Sequence, residues 1–308
     1  MSNRRKLTLV VLLAAFLVVP AQARADVVQE YGFIYSHGEF TTVAVPGATN
    51  TELLAVNNSG QILGYYEGPN GAGGFLYSNG VFDFTRYSFP DAATTGYPVG
   101  INDAGQLVGT YYVGPGPNAG YLYSADIYTS IIFPDISYTW AFGINDSGDV
   151  VGAYYGSPEV CCANGYLYHG SNYTTINVPG ASLTEPWGIN NKGQIVGDCQ
   201  MPGDSTFYGF VASGSSFTVF KFPETINTQA YGVSDSGEVV GTYGGYIGKG
   251  NLQYNGAFFY RNGVFTPIKH PESLTTTAYG INNAGVIVGS YSPTTTTRPR
   301  QYKARLQN

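Results

Sequence analysis

One ten-residue segment occurs in six copies, and no other feature limits the fold as strongly. It reads Gly100-Ile101-Asn102-Asp103-Ala104-Gly105-Gln106-Leu107-Val108-Gly109 in one copy, and related segments end at Gly64, Gly152, Gly197, Gly241 and Gly289. The intervals between the final glycines are 45, 43, 45, 44 and 48 residues. A second segment alternates with the first. It reads Gly74-Phe75-Leu76-Tyr77 in one copy, with counterparts beginning at Gly32, Gly120, Gly165, Gly209 and Ala257. Each is followed by a short turn and a stretch closing on X-Pro, from Val45-Pro46 to His270-Pro271. Repeats of about 20–50 residues mark arrays, solenoids and propellers, because one copy cannot bury its apolar face alone.

Both segments read as hairpins. Asn-Asp/Asn-x-Gly between β-branched runs is turn chemistry, with the Gly supplying a positive φ and the Asn side chain capping its own turn. We label the flanking strands A and B, and the strands around turns such as Asn79-Gly80 and Asn262-Gly263 C and D. Gly in strand A fits an inner strand crowded by neighbouring backbones. Pro ending strand D fits an outer edge, where no neighbour needs its N–H. Charged residues make up only 11% of the chain, against about a quarter in an average soluble domain, and Gly, Thr, Val and Tyr displace helix formers. Four antiparallel strands about every 45 residues is the blade period of a β-propeller. The expected fold is all-β: a six-bladed β-propeller of four-stranded antiparallel blades over residues 26–292. The chain enters on C and D and leaves on A and B, so the N-terminal and C-terminal half-blades pair to close the ring. A β-solenoid is the alternative, but its repeats run shorter and lack two turn signals each. Residues 293–308 form a tail with room for a short extra strand.

The alternation of Gly-Ile-Asn-Asp/Asn-x-Gly-x-Ile/Val-Val-Gly with Gly-Phe-Leu-Tyr resembles the bacterial extracellular HAF repeat family, over about residues 31–291. The His-Ala-Phe triplet that names the family is absent, and the nearest copy is Gly256-Ala257-Phe258. The resemblance implies an extracytoplasmic repeat protein and carries over no catalytic residues.

The N-terminus is consistent with export. A basic start, Arg4-Arg5-Lys6, precedes an apolar run from Leu7 to Val19, then Pro20 and the small-residue sites at Ala23 and Ala25. That is a secretory signal peptide over residues 1–25, cleaved near Ala23 or Ala25, and it predicts a secreted or periplasmic protein. Cleavage after Ala25 removes four positive charges and moves the net charge from −6 to −10. Such a surface repels phosphate, so nucleic acid is not expected as a partner. The mature chain holds no apolar run long enough for a membrane span. A monomer is expected.

Catalytic patterns are scarce. No Gly-x-Ser-x-Gly elbow and no phosphate-loop signature occur. Sialidase chemistry needs clustered arginines, and the repeats hold only Arg86 and Arg261. A glycosidase needs two carboxylates, for which Glu52 with Glu185 would serve, though nothing in the sequence singles that pair out. The three histidines read as exposed turn residues. The acids of the A–B turns, such as Asp146 with Asp149, read as turn chemistry, because a calcium loop needs six or more oxygens. Neither a metal nor a cofactor is expected, and no enzyme activity. Aromatic residues gather instead in the B–C and D–A connections, which reach one face. Tyr66, Tyr97, Tyr112, Trp140, Tyr155, Trp187 and Tyr246 are the candidate ligand-binding residues. Their amphipathic rings suit a glycan or a cell-envelope protein. The expected function is a non-catalytic binding module. The alternatives are a polysaccharide hydrolase or lyase, and a purely structural surface protein. In an oxidising compartment Cys199 is expected to pair with Cys162 or Cys161.

Overall fold

Each repeat folds into four antiparallel strands in chain order. The computed structural model describes residues 29–84, 96–112, 118–156, 163–247, 252–294 and 305–306. The chain opens with the hairpin β1 (Tyr31–Ser36) and β2 (Glu39–Val43). Then come β3 (Asn50–Val56), β4 (Ile62–Gly68), β5 (Gly71–Ser78) and β6 (Val81–Asp83). The next unit is β7 (Gly96–Ile101), β8 (Leu107–Tyr112), β9 (Asn118–Ser124) and β10 (Ile127–Ile131). It is followed by β11 (Tyr138–Ile144), β12 (Val150–Tyr155), β13 (Ala163–His169) and β14 (Asn172–Ile176). After these lie β15 (Leu183–Ile189), β16 (Gln194–Gln200), β17 (Phe207–Ser213) and β18 (Ser216–Phe220). The next four are β19 (Asn227–Val233), β20 (Val239–Ile247), β21 (Leu252–Arg261) and β22 (Val264–Ile268). The final pair, β23 (Ser273–Ile281) and β24 (Ile287–Pro293), completes a sheet in the order β2-β1-β24-β23, which joins the two ends of the repeat region. A two-residue strand, β25 (Arg305–Leu306), runs parallel to β6. Among the described residues there is no helix, and the architecture is all-β and propeller-like.

The A–B turn holds itself and its neighbour. Its Gly sits at φ between +73° and +81° in all six copies, a region open to Gly at little cost. Asn102 caps its own turn by accepting the Gln106 N–H at 2.9 Å, and Asn57, Asn145, Asn190 and Asn282 do the same. The next residue of each turn reaches the following unit. The N–H groups of Asn58, Asp103, Asp146, Asn191, Asp235 and Asn283 each donate to the side-chain oxygen of the next in that order, at 2.6–2.8 Å. Asn283 returns to Asn58. The strand A glycines crowd in the same circular order. A Cβ on Gly188 would lie 2.4 Å from the Tyr231 carbonyl oxygen, and one on Gly280 would lie 3.1 Å from Ala55 Cα.

The core lies between units. The second residue of each Gly-Phe-Leu-Tyr segment (Phe33, Phe75, Tyr121, Tyr166, Phe210 and Phe258) is at most 2% exposed. The final Gly of each turn segment faces a bulge in strand A. At Gly152 a Cβ would lie 1.9 Å from the Trp140 carbonyl oxygen, which also accepts the Tyr166 hydroxyl at 2.9 Å. Gly152→Ala is therefore expected to cost about 3 kcal/mol through overpacking. At Gly73 a new methyl would meet nothing closer than 3.7 Å, so Gly73→Ala should cost under about 0.5 kcal/mol. Urea midpoints of the two variants check this; equal shifts would contradict it.

His270 departs from the exposed-turn expectation. It is 6% exposed and stacks on Tyr291 with ring centroids 3.7 Å apart. It occupies the X of X-Pro, where other repeats bury Val45 and Val178, so an imidazole fills an apolar place. Burial pulls its pKa down. His37 and His169 are exposed in their turns, and His169 contacts the Asp149 carboxylate.

Candidate functional site

Residues at two fixed offsets before the capping residue of each A–B turn (Asn57, Asn102, Asn145, Asn190, Ser234 and Asn282) converge on the inside of the molecule. Three residues before it stand Leu54, Val99, Phe142, Trp187, Tyr231 and Tyr279. Five before it stand Glu52, Tyr97, Trp140, Glu185, Gln229 and Thr277. All twelve line one cavity of about 300 Å³. Strand A is the innermost strand of every unit, and alternate residues of a strand share a face, so each unit contributes one side chain to each level. Each strand A also touches the next, from β3 and β7 round to β23 and β3. At the far end lies a small cavity of about 70 Å³, lined by the turn residues from Asn57 to Asn283.

The two levels differ in chemistry. The level nearer the turns is an aromatic arc. Phe142 stacks on Trp187 at 4.1 Å, Trp187 meets Tyr231 edge-on at 5.5 Å, and Tyr231 meets Tyr279 at 5.5 Å. The other level carries two glutamates, on units three apart in the circular order. Glu52 is buried, and burial followed by the charges of Glu30 and Glu67 pushes its pKa up to about 8. Glu185 accepts the Tyr155 hydroxyl at 2.6 Å, and burial raises its pKa. Behind it, directly across the strand pair, Asp198 is fully buried. Its Oδ1 accepts Trp187 Nε1 at 2.6 Å and Gln229 Nε2 at 3.4 Å. Burial and the neighbouring Glu185 raise the Asp198 pKa strongly. No Lys, Arg or His lines the cavity among the described residues.

Five of the seven residues singled out from sequence meet here: Tyr97, Tyr112, Trp140, Tyr155 and Trp187. Tyr66 does not. It packs between units, with its ring 5.3 Å from Phe84 and 6.5 Å from Phe75. Tyr246 lies in β20, and the placement of its side chain is outside the described part. Cys199 is fully buried in β16, where burial and then Asp198 push its thiol up to about 12. Cys161 and Cys162 lie outside the described residues. Sequence reasoning missed Phe142, Tyr231, Tyr279 and Asp198. The first three could have been found by counting back from the capping residue of each turn, Asn or Ser234. Asp198 stands where other repeats carry Tyr65, Thr110, Ala153, Thr242 and Ser290, so its departure from the column was also legible.

No protein-family model matches this chain, and no curated protein does. Solved structures do. The chain is similar to a TolB-like protein from Agrobacterium tumefaciens at 12% identity and a TM-score of 0.59, over 85% of this chain and 98% of that one. It is also similar to a triple mutant of AofleA from Arthrobotrys oligospora, at 12% identity and a TM-score of 0.45, over 85% and 83%. A third is the fucose-specific lectin of Aleuria aurantia, at 13% identity and a TM-score of 0.37, over 85% and 84%. At such identities only the fold is shared, and the first match defines it: an all-β, propeller-like protein.

Proposed function

We propose that this chain is an exported six-bladed β-propeller that binds a glycan in its central cavity without transforming it. Six four-stranded units, a closed circle of turn hydrogen bonds and the β1–β24 pairing support the blade count. The N-terminal signal and the HAF-like repeat support an extracytoplasmic location. One observation carries the binding reading: a single cavity of about 300 Å³ is lined by an aromatic arc at one level and by two glutamates at the next. Aromatic faces pack against the C–H faces of a pyranose, and carboxyls accept its hydroxyls.

The chain has two tryptophans, and both line the cavity, so intrinsic fluorescence reports this site. Titration with a panel of soluble oligosaccharides is expected to shift Trp140 and Trp187 emission for at least one member. Phe142→Leu keeps an apolar side chain but removes the aromatic face that stacks on Trp187. It is expected to weaken that binding by about 1 kcal/mol, or roughly five- to tenfold. Emission that no member of the panel changes would refute the reading.

A polysaccharide hydrolase or lyase is the second reading, favoured by the two glutamates at one level on opposite units. A carboxyl protonated near neutrality is what a general acid requires. Release of new chain ends from a polysaccharide panel, lost in Glu185→Gln, would establish it over pure binding.

A further inference from the structure

Glu52 is 9% exposed and faces the cavity, and among the described residues no donor reaches its carboxyl. The titratable groups set around it are Glu30, Glu67 of β4, Tyr65 of β4, Tyr97 of β7 and Tyr279 of β23. None of these can supply a positive charge. A buried carboxylate without a cation is costly, whereas the same group becomes an asset once a ligand brings the cation. Aromatic faces on the same cavity wall favour a cation as well.

A second observation narrows the ligand. Trp140 Nε1 and Thr110 Oγ1 are buried beside the cavity and have no hydrogen-bond partner among the described residues. An indole N–H only donates, so it calls for an oxygen acceptor on whatever enters. A bare alkylammonium offers none, while a pyranose carrying an amine offers both groups. We propose that the central cavity holds an amino sugar with a free amine, its ammonium paired with Glu52 and its ring oxygens facing Trp140 and Thr110. This deepens the glycan reading above and rests on it.

Two matched ligand series test the proposal: glucosamine oligomers, and N-acetylglucosamine oligomers of equal length in which the amine is neutral. At about pH 6 the amine is an ammonium. The glucosamine series is expected to bind at least about tenfold tighter, and Glu52→Gln to abolish that preference. Because Glu52 holds its proton in the free protein at this pH, titration calorimetry in buffers of differing ionisation enthalpy should register close to one proton released per bound chain, and none in Glu52→Gln. Equal affinity for the two series in the wild-type protein overturns the amine proposal and leaves glycan binding standing. A preference kept by Glu52→Gln also overturns it. If neither series nor any neutral oligosaccharide binds, the glycan reading itself falls. The wild-type comparison decides the matter even where the variant folds poorly.

Discussion

Raising the pH from about 5 to about 9 is expected to destabilise the protein by several kcal/mol, and Glu52→Gln to remove much of that loss. In the unfolded chain Glu52 ionises near 4.5, and in the folded protein near 8. Between those values the folded state holds a proton that the unfolded state has released. Stability then falls as pH rises, by up to about 1.4 kcal/mol per pH unit. The contribution is complete below about 4.5 and gone above about 8, a change of about 5 kcal/mol at most. Glu185 and Asp198 add to the loss in the same direction, since burial raises both. His270 opposes it. Its depressed pKa means the unfolded chain takes up a proton first, so its contribution falls as pH drops below about 6.5. Thermal melts across this range should show the Glu52→Gln midpoint pulling ahead of the wild type as pH rises, by roughly 10 °C at about pH 9. Parallel curves for the two proteins would show that the Glu52 carboxyl is not buried as described.

The same buried acids explain why the site resists being read from sequence. The turn segments were legible because each local choice agrees with the others. Gly105 needs a positive φ, Asn102 caps, and Leu107 and Val108 begin a strand. The Gly-Phe-Leu-Tyr segments were legible for the same reason, with Phe75 and its counterparts falling where a blade must bury an aromatic ring. What an aromatic residue faces was harder. Tyr65-Tyr66, Tyr111-Tyr112 and Tyr154-Tyr155 look alike as pairs. Counted from the turn asparagine, however, the first pair sits one residue earlier than the other two. A one-residue offset in a strand moves a side chain to the opposite face. Tyr66 thus shares its column with Tyr154, Cys199 and Tyr291, which pack between units, with Tyr111, buried within its own unit, and with Tyr243, which packs between units at the cavity edge. Glu67 takes the place of Tyr112 and Tyr155. The bulge in strand A, between Ala141 and Gly143 in one unit, further shifts the phase relative to strand B, and no residue type announces it. Glu52 and Glu185 share an offset and an opposite placement, which becomes meaningful only once six units are arranged in a circle.

Deleting residues 26–46 is expected to unfold the whole repeat region rather than fray one end. The deletion removes β1 and β2, and with them the antiparallel ladder from Tyr31↔Tyr291 to Tyr35↔Ile287. It also removes Tyr31, Phe33, Val43 and Val45, all under 9% exposed, from two core clusters. Burying side chains of this kind is worth about 1.5–3 kcal/mol each, so their joint loss rivals the roughly 5–15 kcal/mol that holds a domain together. What remains would be worse than a shorter array. β24 would become an open edge, with Ile287 and Tyr291 losing the cover of Tyr31 and Phe33. The single change Phe33→Ala isolates part of the same contact. It should cost about 3–5 kcal/mol, because the ring fills space between Ala278, Tyr291 and Ile287. A synthetic peptide spanning residues 26–46, added to the truncated chain, should restore a cooperative melt by supplying the two strands in trans. If the truncated protein instead melts cooperatively at the wild-type midpoint without the peptide, the two ends do not close one blade, and the circular arrangement proposed here is wrong.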